Sequence, residues 1–401
     1  MSGNRVAMEG YLEYLNTQIL GNRENNELMF AACINPQPTN VIIIGSPGTS
    51  KTTSVNIIAR LLGQTFSKVQ ATPNLDINKV LGPIDLKKLV VDKAEVVNWS
   101  EWTHAYFKFI DEFNRLTPES AVSLMEILDT SRGKRSLHIN QHEAPTLPPG
   151  PLFATMNNPD SGTNEVFPPM LDRFDMCIVM KHPHAHDLLR IGSGELSKYA
   201  APQAMAKAQF ESLKKEVGHI KVPPAVLRYV SMAVRDLSYC NYGEMETKTA
   251  AAAEHCARSC RFCPKIDHRA PASPRVLLSI VSMAKALAYV RGKDEITFEE
   301  IRSLVAAAIR HRIRLNLAYL NKFNNLNDAY ADLFSELKAL WIQREGIDRE
   351  LATAQALADS GDMNGAKPHL EKVVAYAKSD GVYSEMVHHE ILHLRKKGVT
   401  A

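Results

Sequence analysis

The segment Gly45-Ser46-Pro47-Gly48-Thr49-Ser50-Lys51-Thr52 combines small, turn-forming residues with one lysine and one terminal hydroxyl. That set suits a phosphate cradle. Backbone N–H groups of such a loop, with the positive end of a following helix, bind the β- and γ-phosphates of a nucleotide. Lys51 would pair with the same phosphates, and the Thr52 hydroxyl would bind Mg²⁺. Two adjacent carboxylates, Asp111 and Glu112, close the run Ala105-Tyr106-Phe107-Lys108-Phe109-Ile110. In phosphoryl transfer they divide the work: Asp111 holds Mg²⁺ through water, and Glu112 orients and polarises the attacking water. A third chemical cluster lies far downstream. Cys256, Cys260 and Cys263 share one face of a continuing helix, and Cys240 lies sixteen residues before the first of them. Four thiolates would ligate a structural Zn²⁺ or an iron–sulfur cluster, with His255 or His268 as spare ligands. Equally, three small cysteines on one face pack as core, and the spacing fits no standard zinc pattern.

These groups need elements to position them. Residues 41–44, 66–70, 105–110, 152–155 and 177–180 are short β-rich runs, mostly apolar throughout, alternating with helical stretches. Continuous apolar runs suit strands covered on both faces, so an α/β fold is expected: a mostly parallel sheet sandwiched by helices. The first run leads directly into the phosphate loop, and a helix with Val55, Ile58 and Leu62 on one face follows it. Lys108 is out of keeping with its otherwise apolar strand. Beyond residue 188 strand signals vanish. Helical spacing fills 210–217, 224–237, 274–290 and 298–315, and the Pro223-Pro224 pair and Ser273-Pro274 punctuate helix starts. After residue 318 the chain stays helical, with breaks at Ser360-Gly361-Asp362 and Ser379-Asp380-Gly381, which reads as plain helical hairpins.

Composition narrows the class without naming a partner. The chain has 401 residues, 45% apolar and 23% charged, with Lys plus Arg exceeding Asp plus Glu by 47 to 44. Disorder and collagen are excluded, and near-neutral charge leaves any nucleic-acid contact to a local patch. The tract Arg132-Gly133-Lys134-Arg135 is such a patch, but no aromatic residues interleave it for base stacking. It reads as a solvated or protein-contacting loop, leading into a hairpin over 137–146. The aliphatic run 41–44 is too short to span a membrane and the first twenty residues are too polar for a signal peptide, so the cytoplasm is expected.

In order and spacing the motifs resemble the AAA+ ATPases, and more closely their MoxR type within the helix-2-insert clade, related to magnesium-chelatase motor subunits. The resemblance rests on Gly45–Thr52, Asp111-Glu112-Phe113-Asn114-Arg115, Phe153-Ala154-Thr155-Met156-Asn157-Asn158-Pro159, Leu171-Asp172-Arg173-Phe174 and Ser273-Pro274-Arg275. Ser50 stands where the family's loop usually has glycine. Ile19-Leu20-Gly21-Asn22 is similar to the family's adenine-pocket segment, which implies Leu20 and Gly21 as nucleotide contacts. The resemblance further implies Asn157, with Asn158 as runner-up, as the polar sensor that helps place the lytic water. It implies Arg173 as an arginine finger acting on a neighbouring subunit's ATP, and Arg275 as a second sensor. Arg115 would touch the neighbouring site or form a structural salt bridge. An arginine acting in trans implies a ring, most often a hexamer, and residues 86–97 with 99–104 fall where the clade's insertion projects toward a pore.

The resemblance therefore implies a Mg²⁺-dependent ATP hydrolase that remodels or activates a client protein, in metal or cofactor insertion among other tasks. It also implies a partner bearing a von Willebrand factor A domain. Its expected division is an αβα ATPase core over 1–180, an α-helical lid over 181–315 with a cysteine-containing insertion at 240–272, and a helical extension over 316–401. Two other functions stay open at this level: a nucleic-acid motor of the helicase-like branch, and a nucleotide-gated metal or redox sensor built on the cysteines.

Overall fold

The computed structural model describes residues 3–130, 133–157, 163–237, 262, 265–266 and 272–400. The chain divides into two compact units, Met1–Val222 with Leu278–His311, and Pro223–Leu277 with Arg312–Ala401.

The first unit is built on seven strands, β1 (Asn40–Ile44), β2 (Phe66–Gln70), β3 (Phe107–Asp111), β4 (His138–Ile139), β5 (His142–Glu143), β6 (Leu152–Met156) and β7 (Met176–Val179). Five form a parallel sheet in the order β2-β3-β6-β1-β7, and β4 and β5 pair as a separate antiparallel hairpin. The parallel sheet follows the sequence expectation strand for strand. β1, β3 and β6 are buried along four of their five residues, as central strands covered on both faces must be. β2 lies at the sheet edge and keeps Ser67, Lys68 and Gln70 among its five residues, so polar side chains there remain partly exposed.

The buried residues Ile42, Ile110, Phe113, Leu152, Ala154, Phe174 and Cys177 join one core. Within it the Phe113 and Phe174 rings meet edge to face at 5.5 Å. Between β2 and β3 an antiparallel bridge pairs Ile84 with Val97 below a π-helical turn, Lys88–Asp92, and Leu86, Val90 and Val91 are largely exposed at 71%, 76% and 69%.

One charged residue departs from expectation. Arg135, read from its tract as solvated, is 4% exposed and uses all five guanidinium donors inside the unit. Nε and Nη2 donate to Gly150 O, Nη2 also to Thr39 O, and Nη1 to Ile127 O and Asn40 Oδ1, over 2.7–3.1 Å. One planar fork thus gathers carbonyls ahead of two strands and at a helix end, Thr39 O accepting from Leu152 N as well. The β4–β5 hairpin follows where the sequence places it.

The second unit is helical. Pro224–Asp236, Leu326–Asp359, Met363–Ser379 and Gly381–Lys396 are its long helices, broken at both expected turns. Asp362 and Asp380 cap the last two by accepting from Gly365 N and Tyr383 N. Among the described residues no helix is long and apolar enough to cross a membrane.

Candidate functional site

The site gathers at the carboxyl ends of β1, β3 and β6, where ligands of parallel α/β sheets bind. The loop after β1 is shaped for an anion. At Gly45 an added Cβ would lie 3.0 Å from Thr49 Oγ1 and 3.1 Å from Met180 Cβ, so a side chain there would press the loop and the residue after β7 apart. Gly48 takes φ +79° and has open space beyond it, leaving room for a ligand. Ser50 also lies in the left-handed region, at φ 60° and ψ 25°, and hands the chain to the helix Lys51–Leu61.

Lys51 is 8% exposed. Its Nζ donates to Gly45 O at 2.6 Å, to Ser46 O at 3.0 Å and to Asn157 Oδ1 at 3.2 Å. Burial lowers the ammonium's pKa, while the charges of Asp111 and Glu112 oppose that shift. Thr52 follows in the first helical turn.

Glu112, in left-handed backbone geometry at φ 56°, is gripped on both oxygens. Asn157 Nδ2 donates to Oε1 at 2.8 Å, Gln70 Nε2 donates to Oε2 at 2.9 Å, and Arg115 Nε lies 2.9 Å from the same Oε2. The Arg115 contact is a salt bridge within the chain. Asp111 is held as closely: Thr155 Oγ1 donates to Oδ1 at 2.5 Å, and Lys68 Nζ is 2.5 Å from Oδ2. Burial would raise its pKa, but the Lys68 and Thr155 hydrogen bonds and the charges of Lys68 and Lys51 outweigh it and hold the carboxyl below its usual range. Thr155 ties the pair together, since its Oγ1 also accepts from Glu112 N at 2.8 Å.

Lys51, Asp111, Glu112 and Asn157 thus converge. Leu20 and Gly21 are held from β7's side: Asn22 Nδ2 donates to Leu20 O and Lys181 O, and Lys181 N donates to Asn22 Oδ1. Arg173 stands apart. Asn40 Nδ2 donates to Arg173 O at 2.8 Å, which fixes that backbone at the start of β1. β1 then runs five residues, about 16 Å, before the phosphate loop begins. The Arg173 side chain donates to Pro169 O and lies 3.9 Å from Asp129 Oδ2. Ser279 Oγ and His311 Nε2 fasten the same segment at Asp175 Oδ1 and Phe174 O.

Arg275 falls in the second unit and opens the helix Arg275–Val290. Cys240, Cys256, Cys260, Cys263 and Asn158 lie outside the described residues, and among the described residues no three His, Cys, Asp or Glu side chains form a metal-holding group. Zn²⁺ or iron–sulfur ligation finds no support here. Three site residues escaped the sequence reading: Lys68, Gln70 and Thr155. The pairing of Gln70 with Asp111 across β2 and β3 brings in the first two and the pairing of β3 with β6 brings in Thr155, and strand register is invisible to motif spacing.

Residues 40–174 match the AAA domain of the dynein-related subfamily, and residues 265–329 match the AAA lid domain. The Mycobacterium tuberculosis chaperone MoxR1 is 24% identical over 284 residues, covering 69% of this chain and 68% of its own. The magnesium-chelatase 38 kDa subunit of Acidiphilium rubrum is 22% identical over 352 residues, covering 74% of this chain and 90% of its own. A crystal structure from Cytophaga hutchinsonii superposes with a TM-score of 0.64 at 19% identity, over 83% of this chain and 94% of that one, which supports the fold. The strand-end loop, the paired acids and the matched domains agree: the chain carries an AAA domain and an AAA lid domain, and it is similar to MoxR proteins and a magnesium-chelatase subunit.

Proposed function

We propose that the chain hydrolyses ATP in a ring of subunits and uses the cycle to remodel or activate a client protein, metal or cofactor insertion being one such task. The observation that carries this reading is the convergence of Lys51, Asn157, Glu112 and Asp111 on one strand-end cleft. Gly45, Ser46, Pro47, Gly48, Thr49 and Ser50 would present backbone N–H groups to the phosphates, Lys51 would leave its carbonyl partners to bind the γ-phosphate, and Leu20 and Gly21 would pack on the base. The donor set around the phosphate end is all oxygen, as Mg²⁺ prefers: Thr52 and, through water, Asp111 would hold the ion, which when bound neutralises charge on the β- and γ-phosphates. Glu112 would polarise the attacking water and receive its proton, with Asn157 and Gln70 fixing the carboxylate's orientation.

Arg173 would serve a neighbouring subunit. Its backbone is anchored at the far end of β1 from its own phosphate loop, so its own nucleotide is out of reach. Arg275 would act as the second sensor. The division of labour follows: an ATPase core over 1–180, a lid over 181–315 and a helical extension over 316–401. The exposed Leu86, Val90 and Val91 suit contact with an unfolded client segment, and a von Willebrand factor A partner would select that client.

A mixing experiment tests hydrolysis and ring together. Glu112→Gln abolishes turnover but keeps the finger, and Arg173→Ala keeps the carboxylate but lacks the finger. Each alone should lose at least ~10²-fold in kcat. Mixed rings place an intact site against an intact finger, so activity should partly return. If Arg173→Ala alone kept full activity while assembling normally, the finger assignment would fall.

A further inference from the structure

The edge strand β2 reaches the site with two side chains, and Lys68 has no role in the chemistry above. Register sets Lys68 opposite Phe109, so its side chain must run forward along the sheet to place Nζ 2.5 Å from Asp111 Oδ2. The other carboxylate oxygen is taken by Thr155. Both oxygens of Asp111 are therefore engaged by the protein. The Asp111 side chain is 18% exposed, whereas that of Lys68 is 36% exposed at the sheet edge, with solvent to swing into.

We propose that Lys68 is a positioning residue that competes with the divalent cation for Asp111, so that the ion is admitted only when a triphosphate brings enough negative charge to displace the ammonium. The inference rests on the nucleotide reading of this site. An ammonium on the carboxylate neutralises the charge a hydrated cation would seek, and it repels that cation across a few ångströms of partly buried space. Once phosphates are bound, the carboxylate gains a better partner and Lys68 loses its hold without leaving a buried charge behind, because its stem already lies at the edge. Thr155 keeps Asp111 aimed throughout. The empty site is thereby kept from holding metal alone.

The test uses the full chain as wild type, Lys68→Met and Lys68→Arg. Mn²⁺ binding is read from the loss of the free-ion paramagnetic resonance signal, with and without a non-hydrolysable ATP analogue, and a fluorescent ATP analogue in EDTA reports metal-free nucleotide binding. Lys68→Met keeps the stem and removes the charge, so its Mn²⁺ affinity should rise about three- to tenfold. Lys68→Arg should bind Mn²⁺ as wild type does, which a merely structural side chain would not require. Equal Mn²⁺ affinity in wild type and Lys68→Met, with fluorescent nucleotide bound normally by both, would overturn the proposal and leave the site reading intact. Failure of all three to bind the fluorescent nucleotide would overturn the site reading and this proposal with it.

Discussion

Ser50 holds φ 60° and ψ 25°, a conformation in which its Cβ crowds the following carbonyl at a cost of roughly 1–2 kcal/mol. The cost is tolerated because Ser50 O accepts both the N–H and the hydroxyl of Ser54, which secures the helix start beneath the phosphate loop. Ser50→Gly relieves the strain but frees the unfolded chain by a similar amount, so stability should stay within ~1 kcal/mol and nucleotide binding should persist. Ser50→Val puts a β-branched residue in the same region and should lower stability by ~1–3 kcal/mol while weakening binding. Thermal shift with and without an ATP analogue reads both. Thr155 offers a second case. Thr155→Val keeps the shape but strips Asp111 Oδ1 and Glu112 N of their shared partner, a loss of ~1–3 kcal/mol at buried groups. Turnover should fall at least tenfold with nucleotide affinity nearly unchanged, measured as kcat against the binding constant of a fluorescent analogue. The loop and the acid pair are legible in sequence because their chemistry is local in the chain. Thr155, Lys68 and Gln70 are not, because they meet the acids only across strand register.

At the scale of elements, two basic side chains escape a pattern reading. Apolar runs locate the four parallel strands β1, β3, β6 and β7 because burial on both faces demands such runs, yet the same logic assigns lysine and arginine to the surface. Lys108 in β3 is nonetheless 0% exposed, with Nζ donating to Ala105 O at 2.6 Å. Burial, reinforced by the Arg135 charge, pulls its ammonium from 10.5 down to about 7. Between about 7 and 10.5 the unfolded chain holds a proton that the folded chain has released, so stability rises with pH across that window. Below about 7 both states are protonated and the full penalty persists. Lys108→Met should therefore melt higher than wild type at pH 7, with the gap narrowing by pH 9, in parallel melting curves. Arg135 acts oppositely. Arg135→Leu would take the guanidinium from three backbone carbonyls and from the Asn40 amide oxygen, whose amide nitrogen holds Arg173 O, so a loss above ~3 kcal/mol is expected, together with a misplaced arginine.

At the scale of the whole molecule, the two units draw on interleaved stretches of chain, and the second shows why the C-terminal helices matter to the rest of it. Arg344, 1% exposed, donates from Nη1 and Nη2 to Asp236 and from Nε and Nη2 to Asp380, over 2.5–3.0 Å. The three charges join the end of helix Pro224–Asp236 to the middle of Leu326–Asp359 and to the cap of Gly381–Lys396. Beside them Tyr229 meets Trp341 edge to face at 5.0 Å, and Arg228 pairs with Glu390 at 3.0 Å. Breaking one member of such a buried triad leaves uncompensated charge, so Arg344→Leu should cost ~3–5 kcal/mol in the second unit. Removing residues 316–401 has a larger consequence. Helix Pro224–Asp236 would keep Val226, Tyr229, Val230, Met232 and Ala233, buried now, with much of their cover gone. The truncated chain should aggregate or show a molten second unit, detectable by protease sensitivity around residues 223–237, in place of a minimal ATPase. A monodisperse truncated chain with protected 223–237 would mean that these helices fold without the extension, and that the Arg344 triad only fastens parts already formed.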